Sequence, residues 1–260
     1  MSGAAQRAGT ECGGVGGTSR AVANPSAGGG DAGGRPAVSV IVPTFDEQAQ
    51  LPLVLDHIEA LPGAWEVILA DGGSRDRTAA IAAERGVHVV TAGGGRAGEL
   101  NAAARAAAGE LLVFLHADSR LPRDAHASIA AAVADGRAVG GNFALRFDGG
   151  DRFAGLLTAA YALQRRFGVY YGDSSVWVTR AAFDRLGGYR DLPIMDDYDF
   201  VRRLERAGPT ACLPGPATTS DRRWRAMGAG RTLLTWWLVR LAFLAGVPPA
   251  PLARLYRRVR

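Results

Sequence analysis

The first half of the chain alternates short apolar runs with segments in which apolar residues recur at helical spacing. The runs are rich in Val, Ile and Leu, as β-strands are, and the spaced segments each present one apolar face, as amphipathic helices do. Because helices separate the strands, the strands are expected to pair in parallel within one sheet. We predict strands at residues 38–42, 65–70, 87–91 and 111–115, and helices at residues 51–61, 78–85 and 98–108.

The predicted strands are almost continuously apolar, which is typical of strands with helices packed on both faces of the sheet. Right-handed crossovers between them favour a doubly wound, mostly parallel α/β sheet with a Rossmann-like nucleotide-binding half. In such sheets the ligand binds beyond the carboxyl ends of the strands. The residues that directly follow each strand are therefore the first candidates for a functional site.

Three of the four predicted strands are followed by polar residues. Residues 43–47 (Pro-Thr-Phe-Asp-Glu) follow the first strand, residues 71–74 (Asp-Gly-Gly-Ser) the second and residues 116–118 (His-Ala-Asp) the fourth. Taken singly, Asp46 could be only a helix N-cap and Asp71 only a turn former. Together, carboxylates from three strand ends at one edge of a sheet indicate a ligand site.

The N-terminal residues have a different composition from the rest of the chain. Residues 1–35 hold 11 of the 35 glycines and few large apolar side chains, so we expect a disordered tail. They contain no apolar run of signal-peptide length, and the two cysteines of the chain, Cys12 and Cys212, cannot form a disulfide scaffold. We therefore expect the functional part of the protein to face the cytoplasm.

Charge is also unevenly distributed along the 260 residues. Residues 222–260 contain nine arginines and no acidic residue, whereas the residues before them contain 21 basic and 25 acidic side chains. Such a split indicates a local anionic partner, for which a membrane lipid surface is the first candidate. It does not favour nucleic acid, which would require a more uniformly basic surface.

The arginine-rich end includes an apolar segment at residues 232–247, which is interrupted only by Arg240 and contains Trp236 and Trp237. A membrane-spanning helix needs about 20 apolar residues, so this segment is short for a span. It could lie in the plane of a membrane surface, anchored by Trp and Arg side chains, or it could be a core helix that closes the domain. We favour peripheral contact with the inner face of the cell membrane, because the flanking charge is all positive.

Taken together, the motifs resemble those of the family 2 glycosyltransferases of the GT-A fold, in which the first strand ends in a Pro-x-x-Asn-Glu type motif and the second in Asp-Gly-Ser. A bacterial subgroup is still more similar, through its Asp-Gly-Gly-Ser, Gly-Arg-Ala, Leu-Phe-Leu-His-Ala-Asp and Met-Asp-Asp-Tyr-Asp elements. The resemblance implies a GT-A domain at residues 36–224, with a donor half at 36–120 and an acceptor half at 121–224. Residues 225–260 would then form a C-terminal apolar helix and a basic tail.

The first half of the domain binds a nucleotide diphosphate sugar in this family, usually through uracil. The resemblance implies that the loop after the first strand borders the base and ribose, and that the Asp71 carboxylate accepts a hydrogen bond from the base. Gly73 would let the backbone pass close to the ligand. Arg96, otherwise an ordinary loop arginine, would reach the diphosphate. The expected donor-binding residues are Pro43, Thr44, Glu47, Asp71, Gly73, Arg96 and Asp118.

Residues 116–118 stand where the family has Asp-x-Asp, whose last carboxylate binds the divalent cation that bridges the nucleotide phosphates. Asp118 matches this position, so the resemblance implies an Mg²⁺ or Mn²⁺ ion held by Asp118, phosphate oxygens and waters. His116 departs from the pattern and could be a nitrogen ligand, bond the ribose or pack at the strand end. We favour a role other than metal ligand. Arginines could instead stabilise the departing diphosphate.

The catalytic residue is expected within residues 195–199 (Met-Asp-Asp-Tyr-Asp), at the start of a predicted helix. Acidic residues at a helix N-terminus can be favourable simply because they meet the positive end of the helix dipole. The resemblance adds a function, because Asp196-Asp197 matches the Glu-Asp pair whose second member is the general base of inverting members. It implies a single displacement in which Asp197 takes the proton of the acceptor hydroxyl.

Two further segments are expected on the acceptor side. Residues 170–173 (Tyr-Tyr-Gly-Asp) correspond to a Tyr-Gly-Asp-Gln element of the subgroup, with Ser174 in place of Gln, and precede a predicted strand at residues 174–179. An acid beside glycine is also an ordinary turn, so both interpretations of Asp173 stay open. Residues 220–224 keep only the Arg-Trp of the Gln-x-x-Arg-Trp motif of processive relatives, which argues against a processive polymerase. The expected acceptor-side residues are Asp173, Asp196, Arg223 and Trp224.

The sequence thus predicts an inverting glycosyltransferase that moves a sugar from a nucleotide diphosphate donor, UDP-linked by preference, to an acceptor hydroxyl that could be lipid-linked. A nucleotidyltransferase-like enzyme is an alternative, disfavoured by Asp71 and the Asp196-Asp197 pair. A non-catalytic nucleotide-sugar-binding protein stays open because His116 and Ser174 depart from the family pattern. A membrane-surface scaffold would leave the polar strand ends unexplained.

Overall fold

The first half of the domain is a run of strands and helices in the predicted order. The computed structural model describes residues 38–134, 136–221 and 228–259, so the expected tail at residues 1–35 lies outside the described residues. Strands β1 to β4 pair in parallel, in the order β3-β2-β1-β4. The elements are β1 (Val38–Thr44), α1 (Leu51–Glu59), β2 (Trp65–Asp71), α2 (Thr78–Glu84), β3 (His88–Thr91), α3 (Gly95–Ala106) and β4 (Leu111–Phe114).

Helices cover both faces of this parallel sheet. Successive side chains of a strand point to opposite faces, and in β1 Val40 and Val42 belong to one apolar core with α1, whereas Ile41 belongs to a second core with α3. Burial on both faces explains why the strands read as continuous apolar runs. The prediction of a doubly wound α/β fold is confirmed.

The second half of the domain extends the sheet with strands of mixed direction. β7 pairs antiparallel with both β4 and β6, while β8 pairs parallel with β6 and antiparallel with β5. The order across the sheet is β3-β2-β1-β4-β7-β6-β8-β5. The strand predicted at residues 174–179 is found as β7 and begins two residues later. The added strands are β5 (Ser119–Arg120), β6 (Gly140–Phe147), β7 (Val176–Thr179) and β8 (Thr210–Thr219).

Four helices and a short 3-10 turn connect these strands. Phe183 of α6 and Phe200 of α7 are buried with Leu100 of α3, so the three helices form one layer on one face of the sheet. Ile129 of α4 joins the core on the other face. The connecting elements are α4 (Ala125–Ala134), α5 (Arg152–Arg165), the 3-10 turn (Gly172–Ser174), α6 (Arg180–Leu186) and α7 (Asp196–Ala207).

Two C-terminal helices, α8 (Ala229–Leu244) and α9 (Pro249–Val259), complete the described part of the chain. Val239 of α8 and Leu252 of α9 are buried in one apolar cluster with Tyr198 of α7. The helix predicted at residues 232–247 therefore closes the domain with one of its faces, while other apolar side chains of α8 are exposed. Within the described residues, no helix is long and apolar enough to cross a bilayer.

Candidate active site

A cleft of about 970 Å³ opens at the carboxyl ends of β1 and β4. Its wall includes the loop after β1 and the N-termini of α3 and α7, which agrees with the position expected for a ligand site in a parallel sheet. Asp71 and Gly73 do not line the cleft, although Gly72 does, and Arg223 and Trp224 lie outside the described residues. The predicted site residues that line it are Pro43, Thr44, Glu47, Arg96, Asp118, Asp173, Asp196 and Asp197.

The Asp71 carboxylate holds the loop that follows β2. Its Oδ1 accepts hydrogen bonds from the hydroxyls of Thr44 and Ser74, and its Oδ2 accepts from the backbone N–H groups of Gly73 and Ser74 at 3.1 and 3.0 Å. Four hydrogen bonds fill the acceptor capacity of a carboxylate. Asp71 is therefore a turn former, and it also fixes Thr44, which lines the cleft.

Asp46 ties the loop after β1 to the loop after β2. Its Oδ1 accepts a hydrogen bond from the backbone N–H of Arg75 at 2.7 Å, and its own N–H donates to the Ser74 hydroxyl at 3.0 Å. These bonds hold Asp46 at a φ of 55°, in the left-handed region. Helix α1 begins at Leu51 with Gln50 at its N-cap, so the interpretation of Asp46 as an N-cap is wrong.

Arg96, in the first turn of α3, connects the two halves of the domain inside the cleft. Its Nη1 donates to both carboxylate oxygens of Asp196 at 3.1 Å, and its Nη2 lies 3.0 Å from Nε2 of His116. Because a guanidinium can only donate, Nε2 of His116 is the acceptor and the ring proton is assigned to Nδ1. The Nε2 lone pair of His116 is thus directed at Arg96, and a role of His116 other than metal ligand stays a prediction.

The Asp197 carboxylate is fixed by two backbone N–H groups. The N–H of Gly172 donates to Oδ2 at 2.9 Å, and the N–H of Tyr198 donates to Oδ1 at 2.7 Å. Gly172 leaves no room for a side chain, because an added Cβ would lie 2.9 Å from Nε2 of His116 and 3.3 Å from both Nη2 of Arg96 and Oδ2 of Asp197. The imidazole, the guanidinium and the carboxylate therefore converge on one point of the cleft.

Asp173 and Tyr161 also line the cleft, and both are half-buried. Burial, and then the charge of Asp197, raise the pKa of Asp173 to about 7, although a hydrogen bond from Tyr161 opposes the shift. Burial and the neighbouring charge of Asp173 raise the pKa of Tyr161 well above its ordinary value, so the phenol keeps its proton at neutral pH. A carboxyl group that titrates near neutrality is typical of a functional site.

Asp118 is half-buried and lines the cleft at the end of β4. No group of three or more His, Cys, Asp and Glu side chains is close enough to form a metal cluster anywhere in the described residues. A single carboxylate nevertheless fits Mg²⁺ or Mn²⁺, because such ions commonly keep several waters and are bound by one or two carboxylates together with substrate phosphates. The donor set is thus compatible with a metal that arrives with the nucleotide.

Several residues of the cleft wall, including Tyr161, Trp236, Tyr256 and Glu99, were not among the predicted site residues. Tyr161 comes from α5, Trp236 from α8 and Tyr256 from α9, and no local motif marks any of the three. Glu99 lies one turn after Arg96 on α3. Residues three apart on a helix share a face, so this spacing could have placed Glu99 beside Arg96 from the sequence. Burial and the charge of Asp71 raise the pKa of Glu99, while Arg96 opposes the shift.

The sheet and the cleft together define a class of protein, a GT-A type α/β fold with a cleft at the strand ends. The family described as Glycosyl transferase family 2 matches residues 39–190, more than half of the chain. The chain therefore belongs to glycosyl transferase family 2. The predicted enzyme class, a glycosyltransferase, is confirmed.

Solved glycosyltransferase structures share the fold. Mannosyltransferase PcManGT from Pyrobaculum calidifontis, in complex with GDP-Man and Mn²⁺, gives a TM-score of 0.57 at 22% identity and covers 81% of this chain and 62% of that one. Glucosyl-3-phosphoglycerate synthase from Mycobacterium tuberculosis, in complex with Mn²⁺, UDP and phosphoglyceric acid, gives a TM-score of 0.54 at 20% identity. The match covers 83% of this chain and 80% of that one. S. aureus TarS in complex with UDP-GlcNAc gives a TM-score of 0.55 at 15% identity and covers 72% of this chain and 59% of that one. At these identities the likeness concerns the fold.

Curated relatives match a shorter part of the sequence. Undecaprenyl-phosphate 4-deoxy-4-formamido-L-arabinose transferase of Pseudomonas aeruginosa is 37% identical over 97 residues, which cover 33% of this chain and 29% of that protein. The enzyme of the same name from Pseudomonas paraeruginosa gives the same identity and coverage. The chain thus spans less than a third of the length of these relatives.

Proposed function

We propose that the protein transfers a sugar, with inversion, from a UDP-linked sugar to an acceptor hydroxyl. The observation that carries the proposal is the convergence of Arg96 and Asp197 on Gly172 inside the cleft. Sugar transfer from a nucleotide diphosphate needs positive charge at the leaving group and a base at the acceptor. A guanidinium from one half of the domain and a carboxylate from the other supply this pair.

The donor is proposed to lie against the first half of the cleft. Thr44 and Glu47 would border the base and the ribose, and Arg96 would reach the diphosphate. Arg96 stands in the first turn of α3, where the positive end of the helix dipole also favours an anion. The solved structures of the same fold that hold UDP, UDP-GlcNAc or GDP-Man support a nucleotide-sugar donor for this chain.

Asp118 is the residue proposed to hold Mg²⁺ or Mn²⁺ together with the donor phosphates. Two structures of the same fold contain Mn²⁺, which supports the choice of metal. A bound divalent ion would neutralise negative charge on the diphosphate. His116 would contribute indirectly, because its Nε2 holds the Arg96 guanidinium without adding a negative charge.

Asp197 is the proposed general base. As the acceptor oxygen bonds to the anomeric carbon, the bond to the diphosphate oxygen breaks on the opposite side, and the acceptor proton passes to a carboxylate oxygen of Asp197. Inversion follows from attack opposite the leaving group. The N–H groups of Gly172 and Tyr198 orient the carboxylate beforehand, so little reorganisation is needed during the reaction.

A lipid-linked acceptor is the finer part of the proposal. The curated relatives are named for transfer to undecaprenyl phosphate, and the second half of the cleft has an aromatic wall that suits an apolar chain. Asp173 and Asp196 would bind hydroxyl groups of the acceptor. The aromatic residues of this wall are Tyr161, Tyr171, Trp236 and Tyr256.

The base role of Asp197 favours a hydroxyl over a phosphate as the attacking group. A hydroxyl must lose its proton on attack, whereas a phosphate monoester is largely ionised at neutral pH and needs no base. We propose that the reaction takes place in the cytoplasm at the inner face of the membrane, where anionic lipid would meet the arginine-rich C-terminal region.

Calorimetric titration with UDP-, GDP- and TDP-sugars, each with and without Mn²⁺, tests the proposal. We expect the UDP-sugars to bind in a metal-dependent manner, and we expect Asp118→Ala to abolish that dependence. The matched control is Glu110→Ala, which removes an exposed carboxylate at the opposite end of β4 and should bind as the unmodified protein does. Absence of binding by every nucleotide sugar would overturn the proposal.

A further inference from the structure

Two helices expose apolar side chains over much of their length. Phe167, just beyond the end of α5, is 73% exposed, and Leu156 of α5 is 63% exposed. Trp237 of α8 is 62% exposed. We call these side chains and their neighbours the α5–α8 surface, defined by Leu156, Leu163, Phe167, Leu234, Trp237 and Leu241. On each helix the members recur at three-, four- or seven-residue spacing and therefore share one face.

Helices α5 and α8 are bonded to each other by one pair of side chains. Nη1 of Arg240 donates to the Gln164 side-chain oxygen at 2.6 Å. Leu163 precedes Gln164 in the sequence, and Leu241 follows Arg240. Trp236 of α8 also packs against the cluster of buried side chains that includes Leu157 of α5. Helices α5 and α8 are therefore neighbours, and the exposed apolar side chains of both are treated together as the α5–α8 surface.

The same two helices also form part of the cleft wall. Tyr161 of α5 and Trp236 of α8 line the cleft, and both lie close to Tyr171, with ring centroids 6.1 and 5.9 Å from it. Each helix thus has one side at the aromatic end of the cleft and another at the α5–α8 surface. A layer that covered this surface would lie beside the proposed acceptor end.

The charge near the α5–α8 surface indicates what kind of partner can bind there. Among the residues that the structure describes, 152–172 contain three arginines and no acidic residue, and 228–256 contain three arginines and no acidic residue. Two copies of the protein that joined through this surface would bring positive charge against positive charge. An anionic bilayer supplies the opposite charge and an apolar interior for the Leu, Phe and Trp side chains.

We infer that the α5–α8 surface docks on an anionic lipid bilayer, with its apolar side chains in the headgroup region and the aromatic end of the cleft at the membrane. The docking itself does not depend on the proposed function. The orientation of the cleft rests on it, because only a lipid-linked acceptor would make that orientation useful. Neither helix needs to cross the membrane for this arrangement.

Sedimentation of the full chain with phosphatidylcholine vesicles, with and without phosphatidylglycerol, tests the inference. We expect binding that requires phosphatidylglycerol and weakens as salt is added. The variants Leu163→Gln/Phe167→Gln and Trp237→Gln/Leu241→Gln should each bind about tenfold more weakly, since large apolar side chains leave the bilayer. Leu53→Gln, at an exposed leucine of α1, is the matched control and should bind as the unmodified protein does.

Two results would overturn the docking surface. One is equal vesicle binding by the unmodified protein and both double variants; the other is a stable dimer that ignores vesicles and dissociates in the variants. Thermal unfolding of each variant controls for the fold. Nucleotide-sugar binding measured without vesicles separates the two proposals, because the double variants should keep it. Absence of vesicle binding by the unmodified protein rejects the surface, and absence of donor binding alone rejects the proposed function.

Discussion

Asp46 and Asp71 of the first half of the domain and Asp173 of the second half are held in opposite ways. In the first half, Asp46 and Asp71 accept hydrogen bonds from backbone N–H groups and hydroxyls of adjoining loops. In the second half, Asp173 is half-buried near Asp197, and its Oδ1 has no hydrogen-bond partner among the described residues. Hydrogen bonds to a carboxylate favour its charged form, whereas burial beside a second carboxylate disfavours it.

The acids of the first half hold loops in place, whereas those of the second half lie in the wall where the reaction is proposed to take place. The first half uses its acids to lock two loops, and thereby fixes the positions of Thr44 and Glu47 at the cleft. The second half keeps groups whose charged forms are costly, which proteins commonly do where chemistry takes place. The four predictions that follow test this division, and they run from the largest expected effect to the smallest.

Asp197→Asn should have the largest effect. Loss of the base is expected to lower kcat by about 10²–10⁴-fold, while the Kd for the donor stays nearly unchanged. Asp199→Asn is the control on the same helix turn, because Asp199 pairs with Arg190 and Arg203 and is not part of the cleft wall. Unchanged turnover in Asp197→Asn would contradict the base assignment and favour an ionised phosphate acceptor.

The pH dependence of stability should expose Asp173. Its pKa is raised from 3.8 to about 7 by burial and by Asp197, so the folded protein holds a proton that the unfolded chain releases. The free energy of unfolding should therefore fall as pH rises from about 4 to 7 and stay low above that range. Each pKa unit corresponds to about 1.4 kcal/mol, so the fall is at most about 4 kcal/mol.

Urea unfolding at several pH values measures this slope. Asp173→Asn should flatten it, and Asp184→Asn, at an exposed carboxylate of α6, should leave it as in the unmodified protein. The same slope in Asp173→Asn would mean that another group carries the proton. It would also weaken the contrast between the two halves.

Arg96→Gln should affect both halves at once. The nearly buried Asp196 carboxylate loses its cationic partner, and we expect the free energy of unfolding to fall by about 1–3 kcal/mol. Donor affinity should fall by about 10- to 100-fold, as expected for lost charge-assisted hydrogen bonds to the diphosphate. Adding Asp196→Asn to this variant should restore stability but leave donor affinity low. Recovery of both would show that Arg96 acts on the fold alone.

Asp71→Asn should have the smallest effect. The substitution replaces one acceptor oxygen with a donor in a turn built from four hydrogen bonds, which should cost about 1–2 kcal/mol of unfolding free energy. If Asp71 mainly holds the loop, calorimetry should show UDP and GDP losing affinity together. Selective loss of UDP affinity would instead assign the carboxylate to the base, as the family resemblance implies.

The first half of the fold was predictable because each of its elements has its own sequence signal. β1 to β4 are apolar runs, and β1 and β4 are buried on both faces. The second half has weaker signals. β8 contains Pro214 and Pro216, which argue against a strand, and the structure accommodates them in a bulge where the register with β6 shifts between Phe143 and Leu145. Its place in the sheet depends on pairing with β6, which no local pattern shows.

The candidate site, like the fold, was predictable only in part. Residues after strand ends, such as Thr44 and Asp118, follow from the position of ligand sites in parallel sheets. The aromatic wall does not, because Tyr161, Trp236 and Tyr256 come from three separate helices and meet only through tertiary packing. The sequence alone also could not show that the Asp71 carboxylate accepts hydrogen bonds from its own loop.

The contribution of Trp236 and Tyr256 to the cleft bears on when the enzyme becomes competent during its synthesis. Chains are made from the N-terminus, and domains begin to fold as their parts emerge. β1 to β4 pair among themselves and can assemble once residue 114 is available. The cleft wall must wait for α8 and α9. A nascent chain would therefore form the strand-end edge of the cleft well before α8 and α9 could complete its wall, so the order of translation sets the order in which the cleft is built.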